Sequence, residues 1–447
     1  MHVVVVGAGE VGSYVADRLS REGHDVALVD KDAAKLRRID DALDVLTICG
    51  SGTHPAVLGR AGVEHAKLLV AVTANDEANL ISSMLAKSMG VAQTIVRIEA
   101  TELRGKDADQ VRLASGADLF IDPDAETAEE VLELLDFPGA DEVARMAGGE
   151  ILVIGARLPE DAPFVGKTLG EIAEEFEPDW DFMVATIGRA EETIIPRRDH
   201  RLRAGDHVRI VAKRRARRLV IELLGLDRQV PKRVMLLGGG RTAEILAKRL
   251  TARGIEVVVI ERNPVRAREL AERLERTLVL EGDITDDGLL EEADVGRYQM
   301  VVALTGEDDA NILACLYAKA NGAGETVAAL HRLALLTLLS GAGVDVALSP
   351  RTATANGVLR FVRGGVAAVA TFLHGDAEVI ELEVIPASPA DGALVRDLDL
   401  PKDALIAAFV RDGKAQIGRG RSRLRGRDRV IVVAMPAAVG EVHRVLG

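Results

Sequence analysis

The feature that most constrains the fold of this 447-residue chain is an internal duplication. Residues 3–12 (VVVVGAGEVG) recur as residues 234–243 (VMLLGGGRTA), and residues 71–80 (AVTANDEANL) recur as residues 303–313 (ALTGEDDANIL). The two pairs lie at nearly the same separation along the chain, so that Asp76 corresponds to Asp308. A repeat of this length indicates that one domain is encoded twice, and the chain is long enough for several hydrophobic cores.

Both copies show the alternation that is typical of a parallel sheet. Apolar runs of about five residues alternate with amphipathic stretches of about ten to fifteen, as in repeated β-α-β units. The predicted strands are residues 2–6, 25–30, 45–49, 68–72, 94–98 and 119–121 in the first copy and 233–237, 256–261, 277–280, 300–304, 326–329 and 345–348 in the second. The pattern predicts an α/β fold with two doubly wound, parallel-sheet Rossmann-like domains in tandem.

Each copy ends in a region with a different pattern, which predicts a small α+β domain after each Rossmann-like domain. Short strands are predicted at residues 151–156, 208–212, 379–384 and 430–434, and a tight turn, Gly205-Asp206 or Arg427-Asp428, precedes each last strand. The predicted boundaries are 1–122 for the first Rossmann-like domain, 123–149 for a crossover helix and linker, 150–226 for the first small domain, 232–350 for the second Rossmann-like domain, 351–375 for a second crossover helix and linker, and 376–447 for the second small domain. The polar segment 225–232 is predicted to be the hinge between the halves.

Composition narrows the possible partners and location. The net charge of -14 at pH 7 disfavours binding to nucleic acid, whose phosphates carry the same sign. No apolar run approaches the roughly 18 residues that predict a membrane-spanning helix, so we expect a cytoplasmic chain without direct membrane insertion. The two cysteines, Cys49 and Cys315, are too few for a disulfide framework and are interpreted as small buried apolar residues.

The first copy opens with a glycine-rich loop between a predicted strand and an amphipathic helix. Its G-x-G-x-x-G pattern consists of Gly7, Ala8, Gly9, Glu10, Val11 and Gly12. The glycines permit a tight turn, close approach of a pyrophosphate and close helix packing, and the N–H groups at the helix start attract the anion. Asp30 ends the second strand where a carboxylate accepts ribose hydroxyls. Because Lys31 rather than arginine follows, NAD(H) or another unphosphorylated ribose is favoured.

The second copy repeats this arrangement with changes. Its loop consists of Gly238, Gly239, Gly240, Arg241, Thr242 and Ala243, and alanine is tolerated in place of the third glycine. Glu261 takes the position of Asp30. Arg241 places a guanidinium in the phosphate turn, where it either holds a phosphate, in its own site or across a subunit boundary, or points to solvent. We predict nucleotide binding by both copies, with a chemically different second site.

Further candidate contacts follow the third, fourth and fifth strands. They are Gly50, Ser51, Thr53, Thr73, Ala74 and Arg97 in the first copy and Gly282, Asp283 and Thr305 in the second. Capping of the next helix is an equally good interpretation for Ser51, Thr53, Asp283 and Thr305. Asp76 and Asp308 open the next helices, where a cap or first-turn acid is expected. Arg97 is placed to reach phosphates, whereas Ala329 holds that position in the second copy.

The sequence carries these loops without a recognisable catalytic set. A dehydrogenase needs an acid or base beside the nicotinamide and a substrate pocket. The nine histidines are scattered, and neither His-Glu-x-x-His, Cys-x-x-Cys nor Gly-x-Ser-x-Gly occurs. The loops also lack the Gly-Lys-Ser/Thr ending of a P-loop. His54 and His331, nearest the predicted clefts, are interpreted as structural, and the chain is predicted to be a binding protein rather than an enzyme.

The whole chain resembles the regulatory subunits of bacterial Trk potassium-uptake systems, which carry potassium-conductance regulator (RCK/KTN) N- and C-lobes in tandem. The resemblance rests on VVGAGEVGS, CGSGTHPAVLGRAG, LLVAVTANDEANL and FPGA in the first half, and on LLGGGRTAEILAKRL, VIERNPVRA, ALTGEDDANIL and DVALSP in the second. These segments occur in the family's order and cover essentially the whole sequence.

This resemblance implies a cytoplasmic, homo-oligomeric gating ring that responds to NAD(H) and to ATP or ADP. A tetramer would lie at the inner face of the membrane beneath a potassium-translocating dimer of the TrkH type. The phosphate glycines, Asp30, Glu261 and Asp283 match the family's binding positions, whereas residues 241–243 replace a less bulky turn. Two alternatives stay open: a divergent NAD-dependent oxidoreductase, and a structural scaffold whose loops are packing turns.

Overall fold

The computed structural model describes the chain apart from residues 22, 101–107, 179, 190–191, 227–229, 333–334, 336–342, 363–368, 372–376 and 447. The chain divides into two compact units. The first unit consists of Met1–Glu126 and Arg351–Ala367. The second consists of Thr127–Pro350 and Ala368–Gly447. Within the described residues, no helix combines the length and the apolar character needed to cross a membrane.

The first Rossmann-like sheet has six parallel strands. They are β1 (His2–Val6), β2 (Asp25–Asp30), β3 (Leu46–Cys49), β4 (Leu68–Ala71), β5 (Gln93–Arg97) and β6 (Leu119–Ile121). The helices are α1 (Glu10–Arg21), α2 (Ala33–Asp40), α3 (Pro55–Arg60), α4 (Asp76–Ser88), α5 (Ala108–Ser115) and the crossover helix α6 (Pro123–Leu135). The strand order β3-β2-β1-β4-β5-β6 reverses at β1, where open α/β sheets bind ligands. The predicted doubly wound fold is confirmed.

The apolar run of β1 explains its central position in this sheet. Residues 3–6 are at most 3% exposed, as expected for a parallel strand that is covered on both faces. On α1, Val11, Val15 and Leu19 recur every fourth residue and pack in the same core cluster as Val3 and Val5. This packing fixes the start of α1 directly over the carboxyl end of β1.

The first small domain is an antiparallel sheet with two short helices. Its strands are β7 (Glu142–Met146), β8 (Ile151–Arg157), β9 (Phe182–Arg189), β10 (Glu192–Ile194) and β11 (His207–Lys213), and its helices are α7 (Leu169–Glu175) and α8 (Arg217–Leu223). The order is β10-β9-β11-β8-β7. The edge strand β7 comes from segment 123–149, for which the sequence predicts only a crossover helix and linker. In this strand the buried carboxylate of Glu142 forms an ion pair with the buried guanidinium of Arg209, with an N–O distance of 2.6 Å. A charged residue at a buried position interrupts the apolar pattern from which a strand is predicted.

The second Rossmann-like domain repeats the architecture of the first. Its parallel strands are β12 (Arg233–Leu237), β13 (Glu256–Glu261), β14 (Thr277–Glu281), β15 (Met300–Ala303), β16 (Glu325–Ala329) and β17 (Val346–Leu348). Its helices are α9 (Arg241–Ala252), α10 (Pro264–Arg273), α11 (Asp287–Glu292), α12 (Asp308–Ala320) and the second crossover helix α13 (Pro350–Val362). The order β14-β13-β12-β15-β16-β17 is that of the first sheet, so the sequence duplication is also a duplication of topology.

The second small domain has the connectivity of the first. It comprises β18 (Val369–Thr371), β19 (Glu378–Glu383), β20 (Ala404–Arg411), β21 (Lys414–Ile417), β22 (Arg429–Ala434) and the helix α14 (Val439–Leu446). The order is β18-β19-β22-β20-β21. Strand β18 falls inside the predicted linker 351–375. Residues 363–368 and 372–375 of that linker, and 227–229 of the predicted hinge, lie outside the described residues.

The two small sheets pack against each other through apolar side chains. Val153 and Val211 of the first sheet and Val379, Ile431 and Val433 of the second belong to one buried cluster. The other face of the first sheet carries its own core around Phe164 and Phe182. The small domains therefore bury their sheets within the second unit.

The crossover helix α13 packs on the first Rossmann-like sheet, although it follows the last strand of the second. Its residues Ala355, Val358 and Leu359 are fully buried and join the core cluster of Val3 and Val5. The first sheet therefore depends on a helix that lies more than two hundred residues further along the chain.

The crossover helix α6 packs in the reciprocal way. Its residues Val131, Leu132 and Leu135 join the core cluster of Val234 and Leu236 in the second sheet. Each crossover helix thus completes the core of the other copy, an exchange that apolar periodicity cannot predict because it does not specify which sheet a helix covers.

This exchange predicts the effect of truncating Leu359. Leu359→Ala should lower the free energy of unfolding of the first unit by about 2–5 kcal/mol, because it leaves a cavity in a tightly packed core. Hydrogen exchange should show reduced protection of amides in β1 and β4 and unchanged protection in β12 and β15. The control is Leu313→Ala, since Leu313 is 60% exposed and its truncation should change little. Loss of protection confined to β12 and β15 would contradict the exchange.

Candidate functional site

The three glycines of the first loop have different surroundings. Gly7 has φ +109°, and a Cβ atom there would lie 3.0 Å from the backbone nitrogen of Thr73. A Cβ atom at Gly12 would lie 1.8 Å from the carbonyl oxygen of Gly7, so only glycine allows α1 to approach β1 so closely. A Cβ atom at Gly9 would meet nothing within 4 Å. The open side of the loop is therefore at Gly9, where a pyrophosphate would approach.

The second loop has the same turn with different crowding. Gly238 has φ +101° and faces Thr305, and a Cβ atom at Gly240 would meet only the carbonyl oxygen of Leu304, at 4.0 Å. At Gly239, where the first copy has Ala8, a Cβ atom would lie 2.9 Å from Glu261. The side chains of Leu270 and Glu261, at 2.5 and 2.9 Å from that Cβ position, thus occupy in the second copy the space that a methyl group fills in the first.

The acid at the end of the second strand holds the glycine loop in both copies. Asp30 accepts the N–H of Ala8 at 2.6 Å on one oxygen and the N–H of Asp32 at 2.9 Å on the other. Glu261 accepts the N–H of Gly239 at 2.6 Å in the same way. The sequence indicates only a ribose contact for these residues. Each carboxylate oxygen keeps a second lone pair, so the ribose role and the loop role are compatible.

The carboxyl ends of the strands bring the main predicted residues of the first lobe together. Gly50 donates its N–H to the carbonyl oxygen of Asp30 at 2.8 Å. The hydroxyl oxygens of Ser51 and Thr53 lie 2.8 Å apart. Lys31 and Ala74 are exposed on the loops that follow β2 and β4.

The corresponding edge of the second lobe is built in the same manner. Gly282 donates its N–H to the carbonyl oxygen of Glu261 at 3.0 Å. Asp283 accepts the N–H and the hydroxyl of Thr285 at 2.9 and 2.8 Å, and these hydrogen bonds lower the pKa of Asp283. Asp283 thus stays ionised beside the cleft.

The capping interpretation of four candidates is wrong. The N-cap residues of α3, α11 and α12 are His54, Asp286 and Glu307. Three of the candidate side chains bond within their own loops instead, and the hydroxyl of Thr305 donates to Asn311 inside α12. The four candidates are Ser51, Thr53, Asp283 and Thr305.

A buried asparagine, not singled out in the sequence, fixes the loop after β4. Asn79 is fully buried; its side-chain oxygen accepts the hydroxyl of Thr73 at 2.6 Å, and its amide donates to the carbonyl oxygen of Arg97 at 3.0 Å. Asn311 makes the same contacts with Thr305 and Ala329. The dipeptide Ala-Asn that recurs in the first turns of α4 and α12 could have indicated this shared contact.

Asp76 and Asp308 are first-turn acids of α4 and α12, one of the two roles expected from the sequence. Both residues begin their helices, and Asp76 accepts the N–H groups of Glu99 and Ala100 at 2.9 and 2.6 Å. Asp308 likewise accepts the N–H groups of His331 and Arg332 at 2.8 and 2.9 Å. These carboxylates tie α4 and α12 to the segments that follow β5 and β16.

The second cleft is a cavity of about 230 Å³ at the carboxyl edge of its sheet. Six predicted residues line it: Gly238, Gly239, Gly240, Glu261, Asp283 and Thr305. The sequence missed Arg262 and Glu307, which also line it and form an ion pair at 2.7 Å. Arg241, Thr242 and Gly282 are not among the lining residues, and Arg241 and Thr242 form the first positions of α9.

Two charged residues of the first lobe already have ionic partners. Arg97 pairs with Glu99, which follows it by two residues. Glu10, the first residue of α1, pairs with Arg351 of α13. The charge of the first phosphate loop is therefore influenced by a residue of the second half of the sequence.

The two cysteines differ, and the expectation that both are buried is wrong for one of them. Cys49 is exposed at the end of β3, where its sulfur lies 3.8 Å from the carbonyl oxygen of Lys31. Cys315 is buried in α12, and burial raises the pKa of its thiol to about 12. Only Cys49 lies beside a predicted nucleotide residue, Gly50.

Two Rossmann-like lobes with glycine loops, each followed by a small α+β domain, define a tandem protein of the RCK type. The solved GsuK RCK domain has this fold, with a TM-score of 0.59 at 18% identity over 100% of this chain and 94% of that chain. Residues 3–135 and 234–350 match the TrkA-N domain, and residues 153–225 and 379–447 match the TrkA-C domain. The chain belongs to the TrkA family of potassium-uptake proteins.

Full-length relatives agree with this assignment. The Trk system potassium uptake protein TrkA of Halomonas elongata is 35% identical over 438 residues, which cover 97% of this chain and 95% of the relative. A TrkA homolog of Archaeoglobus fulgidus is 36% identical over 449 residues and covers 100% of both chains. The similarity therefore spans both copies and both small domains.

Asp308 provides a test of how the second lobe is held together. Burial alone raises the pKa of Asp308, but hydrogen bonds from the N–H groups and side chains of His331 and Arg332 outweigh it and lower the pKa below its ordinary value of 3.8. Asp308→Asn should cost about 2–3 kcal/mol of unfolding free energy at pH 7, because it removes charge-assisted hydrogen bonds.

The pH dependence of that cost follows from the sign of the pKa shift. A carboxylate with a lowered folded pKa stabilises the fold above its unfolded pKa and loses this contribution as the pH falls through the folded pKa. Urea denaturation should therefore show the difference between wild type and Asp308→Asn shrinking below about pH 4. Asp309→Asn, at a neighbouring carboxylate that is 82% exposed, is the control. A difference that is constant from pH 7 to pH 3 would contradict this role.

The cysteines predict a labelling pattern. Iodoacetamide at pH 8 should modify Cys49 in the native protein and leave Cys315 unmodified, because the Cys315 thiol is buried and its pKa is about 12. Mass spectrometry of tryptic peptides measures both sites, and denaturation in urea should expose Cys315 as a control. Equal labelling of both residues in the native protein would show that the α12 core is open.

Proposed function

We propose that this chain is a nucleotide-sensing regulatory subunit that gates a potassium-uptake system and catalyses no reaction itself. NAD(H) and ATP or ADP are its ligands, bound at the glycine loops of the two Rossmann-like lobes. The observation that carries the proposal is the repeated unit of loop and acid, in which Asp30 holds Ala8 and Glu261 holds Gly239 in a chain of the TrkA family.

The local chemistry supports nucleotide binding at both loops. The first loop presents open space at Gly9 beside the N-terminus of α1, where N–H groups and the helix dipole favour a phosphate. Asp30 and Glu261 stand where ribose hydroxyls would donate hydrogen bonds to their carboxylates. The remaining predicted contacts, including Arg97 and Arg241, belong to the same proposal.

Solved structures with this fold support the choice of ligands. One GsuK channel structure is described as bound to NAD, with a TM-score of 0.60 and 18% identity to this chain, covering 78% of that chain. Another is described as bound to ADP. Those ligands belong to GsuK, and their chemistry, an adenine nucleotide with a ribose and a pyrophosphate, is what the two loops of this chain are suited to hold.

The names of the relatives support the transport role. They are Trk system potassium uptake proteins, and the proposed partner of this chain is a membrane potassium-translocating subunit of the TrkH type. We place the chain in the cytoplasm, as a homo-oligomer, most simply a tetramer, held at the inner face of the membrane through that partner. Nucleotide binding would change the arrangement of lobes in the ring and so the opening of the pore.

The two lobes are expected to respond differently. The second cleft measures about 230 Å³, below the roughly 300 Å³ at which small-molecule pockets usually begin, and the Arg262–Glu307 ion pair lines it. The corresponding residues of the first copy are Lys31 and Asn75, which cannot form this ion pair. We expect the first lobe to bind nucleotide more readily than the second.

Calorimetry with NADH, ATP and ADP tests the sensing function. Wild-type protein should bind at least one of them, and Asp30→Ala should abolish the tighter site, because it removes both the ribose contact and the hydrogen bond that holds the loop. The control is Asp25→Ala, which removes an exposed aspartate at the opposite end of β2. Absence of binding by the wild type would refute nucleotide sensing, and hydride turnover abolished by Asp30→Ala would favour the oxidoreductase alternative.

A further inference from the structure

Arg351 reaches the first phosphate loop from the other half of the sequence. It is the second residue of α13, which packs on the first sheet through Val358 and Leu359. Its guanidinium pairs with Glu10, and its side chain is 28% exposed. Since Glu10 follows Gly9 and begins α1, this guanidinium lies at the end of the helix where a phosphate would be received.

The surroundings of Arg351 make it responsive to an incoming anion. Burial lowers the pKa of its guanidinium, because water solvates the charged group only in part. Glu10 supplies a neighbouring negative charge from an exposed position at the first turn of α1. The space beside Gly9, where a Cβ atom would meet nothing within 4 Å, leaves room for a phosphate next to this pair.

We propose that Arg351 contacts the phosphates of the nucleotide bound in the first lobe, exchanging the carboxylate of Glu10 for phosphate oxygens. This inference rests on the proposed function. The planar fork of a guanidinium binds phosphate and carboxylate alike through two parallel hydrogen bonds, and a nucleotide with two or more phosphates carries more negative charge than one carboxylate. Glu10, in turn, repels the nucleotide phosphates and competes with them for Arg351. The ligand class is therefore an adenine nucleotide with two or more phosphates, and not a nucleoside.

The exchange connects nucleotide binding to the second half of the chain. Arg351 lies on α13, directly before the residues that complete the first core, so a phosphate that draws the guanidinium also acts on this helix. The charges at the corresponding sequence positions of the other copy are opposite: Arg241 corresponds to Glu10, and Asp124 of α6 corresponds to Arg351.

The test measures binding of ADP and of adenosine to the full-length protein by calorimetry. Arg351→Gln should weaken ADP binding to the first lobe by about tenfold, because it removes a charge-assisted contact to phosphate. Adenosine binding should be unchanged. Glu10→Gln should tighten ADP binding, and the double variant should bind ADP more weakly than Glu10→Gln alone. Arg21→Gln is the matched control, because Arg21 forms an ion pair with Asp17 at the other end of α1.

Each contrary result has a distinct meaning. If the wild type binds ADP and Arg351→Gln binds it equally well, Arg351 makes no phosphate contact and the proposed function stands. If Arg351→Gln weakens ADP and adenosine equally, or Glu10→Gln also weakens ADP, the ion pair only supports the fold and the inference is overturned. If the wild type binds neither ligand nor NADH, the proposed function itself fails.

Discussion

The hydrogen bond between the acid that ends the second strand and the N–H of the glycine loop is the interaction on which the candidate sites depend. It joins Asp30 to Ala8 and Glu261 to Gly239, each at 2.6 Å. A glycine-rich turn is conformationally free, and its ordering costs entropy that other contacts must offset. The carboxylate anchors the turn at the switch point of each sheet, and the buried Asn79 and Asn311 fix the facing loops. The edge of each sheet at which we propose nucleotide binding is thereby held by contacts within the protein.

Divergence between the copies is concentrated around this common anchor. The first copy pairs the shorter acid Asp30 with Ala8 of the loop. The second copy pairs the longer acid Glu261 with Gly239. The charges at the phosphate turn are also inverted, with Glu10 in one copy and Arg241 in the other. A shared backbone with different charges is a simple way for one chain to carry two sensors of unequal preference.

Much of the fold was predictable because its signals are local. Apolar runs located the Rossmann strands to within one residue, and the glycines and acids indicated the edge of each sheet at which nucleotide binding is proposed. The errors were long-range or involved charge. Strand β7 was hidden by Glu142, whose burial depends on Arg209, and the exchange of α6 and α13 depends on which sheet each helix meets. The hydrogen-bond partners of Asp308 and the exposure of Cys49 likewise depend on tertiary contacts, which the spacing of residues in the sequence does not specify.

The most direct test of the account is potassium flux through the membrane partner, reconstituted with this chain in vesicles and titrated with NADH, ATP and ADP. The account predicts that at least one nucleotide changes the flux. It also predicts that Asp30→Ala removes more of this response than Glu261→Ala does, since the lobes differ. A flux that is the same at every nucleotide concentration, with this chain bound to its partner, would contradict the account.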